Sequence, residues 1–390
     1  MSASFRRPKE ESELQALADI LTEAFSVEPN KIRERFDFIG FENLRVLEKT
    51  GTIAGGLWLI PMGQFFGGRS VPTGGIAGVG VRPDFRGHGV ANDLMCRTMN
   101  EMFENGTALS GLYPATQTLY RQSGYEQAGH RFEINLRLES IRVRERAATM
   151  RRLDEKDRPK VESLYRRLAQ NRNGYLDRGN YIWDRIYQPF GEATRGYGVF
   201  EGDDLEGYLY LKHRDKVDGF YHLSLTDFIF ATPRAGRRLL AFLAGHSSMA
   251  GEVRWFGGPT DPAFYLLPEQ RYKMLFRFYW MVRITHLEAA LNARGYAAGL
   301  ETELHLDVSD DVVPGNQGKF VLQVADGVGR VQRGGRGDLA LDIRGLAALY
   351  TGFLSPDLLR MAGRLEGADE AMRRAAAVFA GPAPTMADMF

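Results

Sequence analysis

The chain has 390 residues, and its content of 44% hydrophobic and 25% charged residues excludes an intrinsically disordered protein. Lysine and arginine number 50 against 49 for aspartate and glutamate, so the net charge of +1 gives no reason to expect nucleic acid or an anionic membrane as a partner. A chain of this length predicts two or three domains.

The first residues, the apolar runs and the cysteine content predict a cytoplasmic protein. The N-terminus, Met1 to Pro8, has neither an apolar core nor a cleavage pattern, so no signal peptide is expected. No run reaches the roughly 18 apolar residues that a membrane span needs. The single cysteine, Cys96, excludes a disulfide framework and favours a reducing compartment.

The first part of the chain reads as an α/β segment. Apolar residues recur at helical spacing over 11–25, and a short helix is predicted around 31–36. Strands are predicted at 44–48, 52–60 and 76–81, with turns at 49–51 and around 67–68. The last strand leads into a glycine-rich hexapeptide and then into a helix.

This hexapeptide, Arg86-Gly87-His88-Gly89-Val90-Ala91, predicts a phosphate-binding turn. The first N–H groups of a helix have no intrahelical partner and lie at the positive end of the macrodipole, so they can hold a pyrophosphate. A dinucleotide fingerprint fits poorly, because Gly78 and Gly80 lie within the strand. A plain surface turn before a helix remains the alternative.

A second motif follows the helix. A buried strand is predicted over 108–113, a short helix carries Leu119-Tyr120-Arg121, and Ser123-Gly124-Tyr125 leads to a strand at 132–136. The stretch therefore contains Tyr120, three intervening residues, and then Gly124-Tyr125.

The middle of the chain repeats this outline. A charge-dense segment over 142–160 is predicted to be a linker, with a surface helix face as the alternative. A helix at 161–170, strands at 197–200, 207–211 and 223–229, and a helix at 237–243 follow. Arg237 stands where the glycine loop would require glycine, so this repeat is predicted to bind no coenzyme.

The last part of the chain has a different pattern of apolar residues. A helix is predicted at 287–291, and alternating apolar residues predict antiparallel strands at 303–308, 318–324, 329–331 and 339–343. Helical segments at 344–350 and 356–364 precede a tail that ends at Phe390.

The loop Arg86-x-x-Gly89-x-Ala91 and the Tyr-x-x-x-Gly-Tyr stretch resemble the Gcn5-related N-acetyltransferase (GNAT) superfamily. Across nearly its full length, the chain resembles the enhanced intracellular survival (Eis) family of N-acetyltransferases. The resemblance implies an α/β (α+β) fold with two tandem GNAT-like domains, the second degenerate, and a sterol-carrier-like domain. The expected boundaries are 1–146, 147–280 and 281–390.

The resemblance also implies roles for individual residues. The α-carboxylate of Phe390 is expected to be the general base, and Tyr120 the general acid. Acetyl-CoA is the implied co-substrate. Its expected contacts are Val79, Gly80, Val81, Arg86, Gly87, His88, Gly89, Val90, Ala91, Asn92, Ala115 and Thr116.

The chemistry agrees with this division. An amine with a pKa of about 10.4 must lose a proton before it attacks a thioester, and a phenol with a pKa of about 10 can protonate a departing thiolate. The expected substrate is a small cationic amine, either an aminoglycoside-like polyamine acetylated at one or several positions or a lysine side chain. The sequence departs from the family's acidic acceptor pocket at Phe25–Glu28 and in the tail, which offers Asp388.

Two other functions and the assembly complete the expectations. A lipid-binding protein and a coenzyme-A sensor without turnover are the alternatives. No metal is expected, because the seven histidines are scattered without paired ligand spacing. No nucleic acid or membrane partner is expected, and the resemblance implies a homo-oligomer, a hexamer.

Overall fold

The computed structural model describes residues 3–217 and 219–390. The first part of the chain has the predicted order of two helices, strands, loop and helix. Its elements are β1 (Ala3–Arg6), α1 (Glu11–Phe25), α2 (Pro29–Ile39), β2 (Leu44–Lys49), β3 (Thr52–Phe66), β4 (Arg69–Val81), α3 (Val90–Glu104), β5 (Leu109–Leu112), α4 (Gln117–Gln122) and β6 (Glu126–Arg137).

The middle part repeats much of this order. Its elements are β7 (Thr149–Arg152), α5 (Arg158–Ala169), β8 (Leu176–Asp177), α6 (Asn180–Tyr187), β9 (Arg195–Glu201), β10 (Asp204–Val217), β11 (Phe220–Phe230), α7 (Pro233–Ala244), β12 (Ala250–Gly257) and β13 (Tyr272–Ile284). In both parts, a helix connects a pair of parallel strands, β4 with β5 and β11 with β12.

The last part forms a smaller sheet with accompanying helices. Its elements are α8 (Leu287–Ala293), β14 (Thr302–Ser309), β15 (Gly318–Ala325), β16 (Val328–Arg333), β17 (Leu339–Asp342), α9 (Ile343–Thr351), α10 (Pro356–Met361), β18 (Leu365–Gly367) and α11 (Asp369–Val378). The strand order in this sheet is β16-β15-β14-β17-β18. The alternating runs predicted from the sequence are strands here, and β14 and β15 bury an apolar side chain at every second position over much of their length.

Contacts divide the chain into two compact units. Unit 1 consists of residues up to 129, 279–384 and 390, and unit 2 consists of 130–278 and 385–389. In unit 1, Leu109–Leu112 of β5 pair with the end of β13, and in unit 2 the 132–137 part of β6 pairs with β12. Each unit therefore completes its sheet with a strand from the other repeat. The boundaries predicted at 146/147 and 280/281 stay predictions.

The predicted elements of the first repeat are present, and several are longer than predicted. The second helix extends over Pro29–Ile39, and β4 begins at Arg69. Among the elements without a counterpart in the sequence analysis are β1, β7, β8, α6, β13, β18 and α11. Within the described residues, no helix combines the length and apolar content that crossing a membrane requires.

Candidate active site

The loop between β4 and α3 has the geometry of an anion-binding turn. Gly87 and Gly89 adopt φ values of 78° and 73°, which side chains rarely tolerate, and a Cβ on either would meet nothing within 4 Å. The space beside the loop is therefore open to a ligand.

The N-terminus of α3 presents backbone donors to the same space. Gly89 is the residue before the helix and provides no capping side chain, and the first intrahelical bond runs from Asp93 N–H to the Gly89 carbonyl at 2.9 Å. The N–H groups of Val90, Ala91 and Asn92 precede that bond, so they are the free donors of the first turn. These residues fit a pyrophosphate.

The strand before the loop is irregular where a ligand would pass. Gly56 pairs with Gly80 and Trp58 pairs with Ala77, so two residues of β4, including Val79, face one residue of β3. Such a bulge bends the strand and interrupts its ladder, and bulges are common beside active sites. On the other side, the β4–β5 ladder ends at Gly75. Within the described chain, residues 76–81 of β4 have no partner in β5.

Tyr120 lies in α4, on the side of the sheet that α3 covers. Its side chain is 7% exposed and packs in one cluster with Val90, Leu112 and Ile76, and its ring centroid lies 6.1 Å from that of Tyr125. Burial raises the pKa of the Tyr120 hydroxyl. The hydroxyl therefore stays protonated at neutral pH.

The ring of Phe390 lies against β4 and β5. A Cβ at Gly75 would come within 2.8 Å of the Phe390 ring, and one at Gly111 would lie 3.8 Å from it. Tyr113 flanks the ring at a centroid distance of 5.8 Å. Two glycines that pair across the β4–β5 ladder thus make room for the terminal aromatic ring.

Tyr120 and the Phe390 ring lie on opposite faces of this ladder. Gly75 and Gly111 face the Phe390 ring, whereas the next residue of each strand, Ile76 and Leu112, packs in the cluster with Tyr120. Successive side chains of a strand point to opposite faces, so β4 and β5 both place the Phe390 ring and Tyr120 on opposite sides of the sheet. The arrangement has a protonated phenol on one face and the Phe390 ring on the other.

The remaining predicted site residues lie around the same edge. Val79, Gly80 and Val81 end β4, and Arg86 and His88 are exposed in the loop. Ala115 and Thr116 are exposed between β5 and α4, where Thr116 is the residue before the helix. The structure therefore brings β4, the loop, α4 and Phe390 to one part of unit 1.

Asp388 does not face an open pocket. Its carboxylate accepts hydrogen bonds from Arg178 in unit 2, at 2.8 Å in the ion pair, and both side chains are buried. The Arg178 guanidinium also pairs with Asp227 at 2.6 Å and stacks 3.6 Å from the centroid of Tyr165. Asp388 is thus committed to the protein interior and is unavailable to a cationic substrate.

The second repeat has a different connection at the position of the loop. Only residues 231 and 232 separate β11 from α7, whereas residues 82–89 separate β4 from α3. Thr232 caps α7 by accepting a hydrogen bond from the Ala235 N–H, and Arg234–Leu239 lie inside the helix. The reason expected for the missing site, a bulky Arg237 in a loop, is therefore wrong, because no such loop is present.

Several contributors to the site were not found by sequence reasoning. These are Gly75 and Gly111, which accommodate the ring, and Arg178, which holds the tail. Glycine inside a strand pattern indicates close approach of another group, so the run Thr73-Gly74-Gly75 could have predicted that a group packs against this strand. Arg178 has no such signal, because its partners lie 49 and 210 residues away.

Comparison with known families divides the chain into three parts. Residues 5–128 and 174–284 each match an acetyltransferase (GNAT) domain, and residues 287–387 match the sterol carrier protein domain. The order is that of two GNAT domains followed by a sterol carrier domain.

Solved structures and curated proteins give the same picture. A GCN5-related N-acetyltransferase from Anabaena variabilis is 36% identical, with 100% of both chains covered and a TM-score of 0.95. An uncharacterized N-acetyltransferase from Streptomyces avermitilis is 29% identical over 318 residues, 77% of this chain and 76% of that protein. Eis1 from Mycobacterium abscessus shares the fold, with a TM-score of 0.82 over the whole of both chains at 20% identity.

Proposed function

The chain belongs to the GCN5-related N-acetyltransferases, and from this premise we propose that it acetylates primary amines of small cationic substrates as a member of the Eis family. The acceptors would be aminoglycoside-like polyamines, at one or several amino groups, or lysine side chains. The observation that carries the proposal is the placement of Tyr120 and the Phe390 ring on opposite faces of the β4–β5 ladder. Direct transfer requires a proton acceptor for the amine and a proton donor for the leaving thiolate.

The co-substrate of the family is acetyl-CoA, which supplies an acetyl thioester when bound. In this chain, the N–H groups of Val90, Ala91 and Asn92 would hold its pyrophosphate. The flanking Arg86 and His88, with Gly87 and Gly89, form the wall of that turn. The strand segment Val79–Val81 and residues Ala115 and Thr116 would line the remainder of the site. None of these roles needs a metal.

The proposed mechanism assigns one residue as proton acceptor and one as proton donor. We assign the base to the α-carboxylate of Phe390, which takes the proton of the amine and attracts its positive charge. A terminal carboxylate has a pKa of about 3.5 in water, so it is ionised at neutral pH and attracts a cation. Tyr120 donates its proton to the thiolate on the other face. Asp388 is bound by Arg178, so it does not supply a charge for attracting the substrate.

Thiol release from acetyl-CoA tests the proposal. The wild-type protein should release thiol with amines of this class, such as kanamycin, spermidine and a lysine peptide. Tyr120→Phe should lower kcat by about 10²–10⁴-fold, because it removes the proton donor and leaves the ring in place. Failure of every amine to accelerate release would refute the function, and an active Tyr120→Phe would reassign only the acid.

The pH dependence of kcat follows from the same residue. A group whose pKa is raised in the folded protein keeps its proton to higher pH, so Tyr120 remains a donor beyond the ordinary tyrosine range. Loss of kcat from ionisation of Tyr120 should therefore begin only above about pH 10.

Gly89→Ala tests the contribution of the loop to coenzyme binding. The substitution meets no neighbouring atom but places a side chain at φ 73°, which costs about 1–2 kcal/mol for L-residues. We expect the Kd for coenzyme A, measured by calorimetry, to rise about tenfold as the loop relaxes away from this conformation. An exposed glycine elsewhere, Gly299→Ala with φ 76°, is the matched control and should leave the Kd unchanged.

The lipid-binding alternative gains no support from the sterol carrier domain. Arg294 is fully buried there, and its guanidinium donates to the Tyr350 and Gly295 carbonyls at 3.0 and 2.9 Å. The rings of Tyr350 and Phe379 lie 5.6 and 5.2 Å from it. A cation in the domain interior suits a packed core better than an apolar ligand cavity.

We also propose a cytoplasmic homo-oligomer, a hexamer by family resemblance. Leu275, Phe276 and Phe278 of β13 are 43%, 49% and 37% exposed, which is unusual for large apolar side chains on one strand. Light scattering of the purified protein tests the assembly. The second GNAT repeat, with its two-residue connection, is proposed to bind no coenzyme.

A further inference from the structure

The helix that carries Tyr120 is too short to fix its own position. Helix α4 has six residues, and its N-cap residue Thr116 makes no side-chain capping bond. Isolated helices of this length are not stable in water, because nucleation costs more than so few hydrogen bonds return. The orientation of Tyr120 must therefore depend on contacts that α4 makes with the rest of unit 1.

One such contact links α4 to the sterol carrier domain through a shared carboxylate. Arg121, the neighbour of Tyr120, donates to Glu126 Oε1 from Nη2 at 2.7 Å. Arg344, at the start of α9, donates from Nε to Glu126 Oε2 at 3.1 Å and again from Nη2. Glu126 and Arg344 are largely buried, with 13% and 19% of their side chains exposed. Glu126 thus accepts hydrogen bonds from two guanidinium groups, one in the first GNAT domain and one in the sterol carrier domain.

A second charged contact supports the turn that follows α4. Arg283 is fully buried and pairs with the fully buried Asp310 at 2.6 Å. Its guanidinium lies against Gly124, where a Cβ would come within 2.7 Å of Nε. Asp310 follows β14 and also accepts from the N–H groups of Val312 and Val313, both at 3.1 Å. In this contact the acidic partner, Asp310, belongs to the sterol carrier domain.

The segment between these contacts is tied back to Tyr120. The N–H groups of Ser123 and Tyr125 donate to the Tyr120 carbonyl at 3.0 and 3.1 Å. The Tyr125 hydroxyl is 2.6 Å from Ser110 Oγ, which donates to the Gly74 carbonyl at 2.9 Å. Displacement of the turn would therefore move Tyr120 relative to β4 and β5.

We propose that the sterol carrier domain positions the catalytic tyrosine, with Arg344 acting on Glu126 and Asp310 acting on Arg283. Arg344 and Asp310 are positioning residues, since they act on Tyr120 only through the turn. The proposal rests on the proposed function, in which Tyr120 is the proton donor. It gives this domain a role in acetyl transfer that requires no ligand of its own.

Arg344→Met tests the proposal, because methionine keeps the apolar stem and removes the charge. We expect kcat to fall about 10- to 100-fold, since a displacement near 1 Å is enough for such a loss, while the KM for acetyl-CoA stays within about twofold. Arg344→Lys should recover part of kcat. The matched control is Arg360→Met, which removes a 2.8 Å ion pair with Asp369 inside the same domain and should leave kcat unchanged.

A double-mutant cycle with Tyr120→Phe separates positioning from a general structural effect. If Arg344 acts through the hydroxyl of Tyr120, then Arg344→Met should lower kcat in the wild type and change it little in Tyr120→Phe. Equal losses in both backgrounds, or an Arg344→Met as active as Arg360→Met, would overturn the positioning role and leave the proposed function intact. A fully active Tyr120→Phe would overturn the acid assignment and this proposal together.

Discussion

Removal of Phe390 alone is expected to lower kcat by about 10²–10⁴-fold, the usual contribution of a general base. The deletion removes the ring from Gly75 and Gly111 and replaces the terminal carboxylate by one on Met389, which is 40% exposed. The loop at Gly87 and Gly89, which is proposed to hold the coenzyme, is untouched, so the Kd for coenzyme A should stay within about twofold. Thiol release and calorimetry on the same preparation measure both quantities.

Two companion variants distinguish the carboxylate from the ring. Phe390→Leu keeps the carboxylate and gives up the aromatic contact with Tyr113, so it should retain more activity than the deletion. Extension of the chain by two glycines keeps the ring and moves the carboxylate, so it should be as inactive as the deletion. A deletion variant with wild-type kcat would place the base elsewhere, and mass spectrometry of the purified protein would confirm that Phe390 is its last residue.

Arg178→Met is expected to lower the free energy of unfolding by about 3–5 kcal/mol, the range for breaking a buried ion pair by removing one partner. Arg178 is 1% exposed and neutralises two buried carboxylates, Asp227 and Asp388. Its loss leaves both charges desolvated, and the Tyr208 hydroxyl, which donates to Asp227 at 2.8 Å, cannot replace a cation.

Urea unfolding measures this difference. Arg166→Met is the matched control, because Arg166 pairs with Asp177 at 3.1 Å while 66% exposed, and such surface pairs contribute at most about 1 kcal/mol. If Arg178→Met were no more destabilising than Arg166→Met, the buried cluster would carry little of the stability of unit 2.

The sequence predicted elements best where periodicity was strong. Helix α1 and the strands β14 and β15 show clear apolar spacing, and their predicted bounds lie close to the observed ones. Strand β13 was missed because its first half carries exposed apolar side chains with no alternation. Prediction from hydrophobic periodicity depends on alternating burial, so it does not detect a strand whose side chains do not alternate in burial.

The candidate site was predicted in its local parts and missed in its long-range parts. The turn at Gly87 and Gly89 depends on adjacent residues, so the local sequence pattern predicted it, whereas Tyr120 was selected by the resemblance to the family. The pairing of Glu126 with Arg344 joins residues 218 positions apart, and that of Arg283 with Asp310 depends on burial. Neither can be predicted from spacing along one chain.

The two-residue connection between β11 and α7 limits which mutations could give the second repeat an anion-binding turn. Arg237→Gly alone would only place a glycine inside a helix, where it costs about 1 kcal/mol, and would create no turn. An anion-binding turn like that of the first repeat would require an insertion between Phe230 and Pro233, because the first repeat has eight residues at that place and the second has two. Substitutions alone can therefore alter the loop of the first repeat, whereas a turn of the same kind in the second repeat needs added residues.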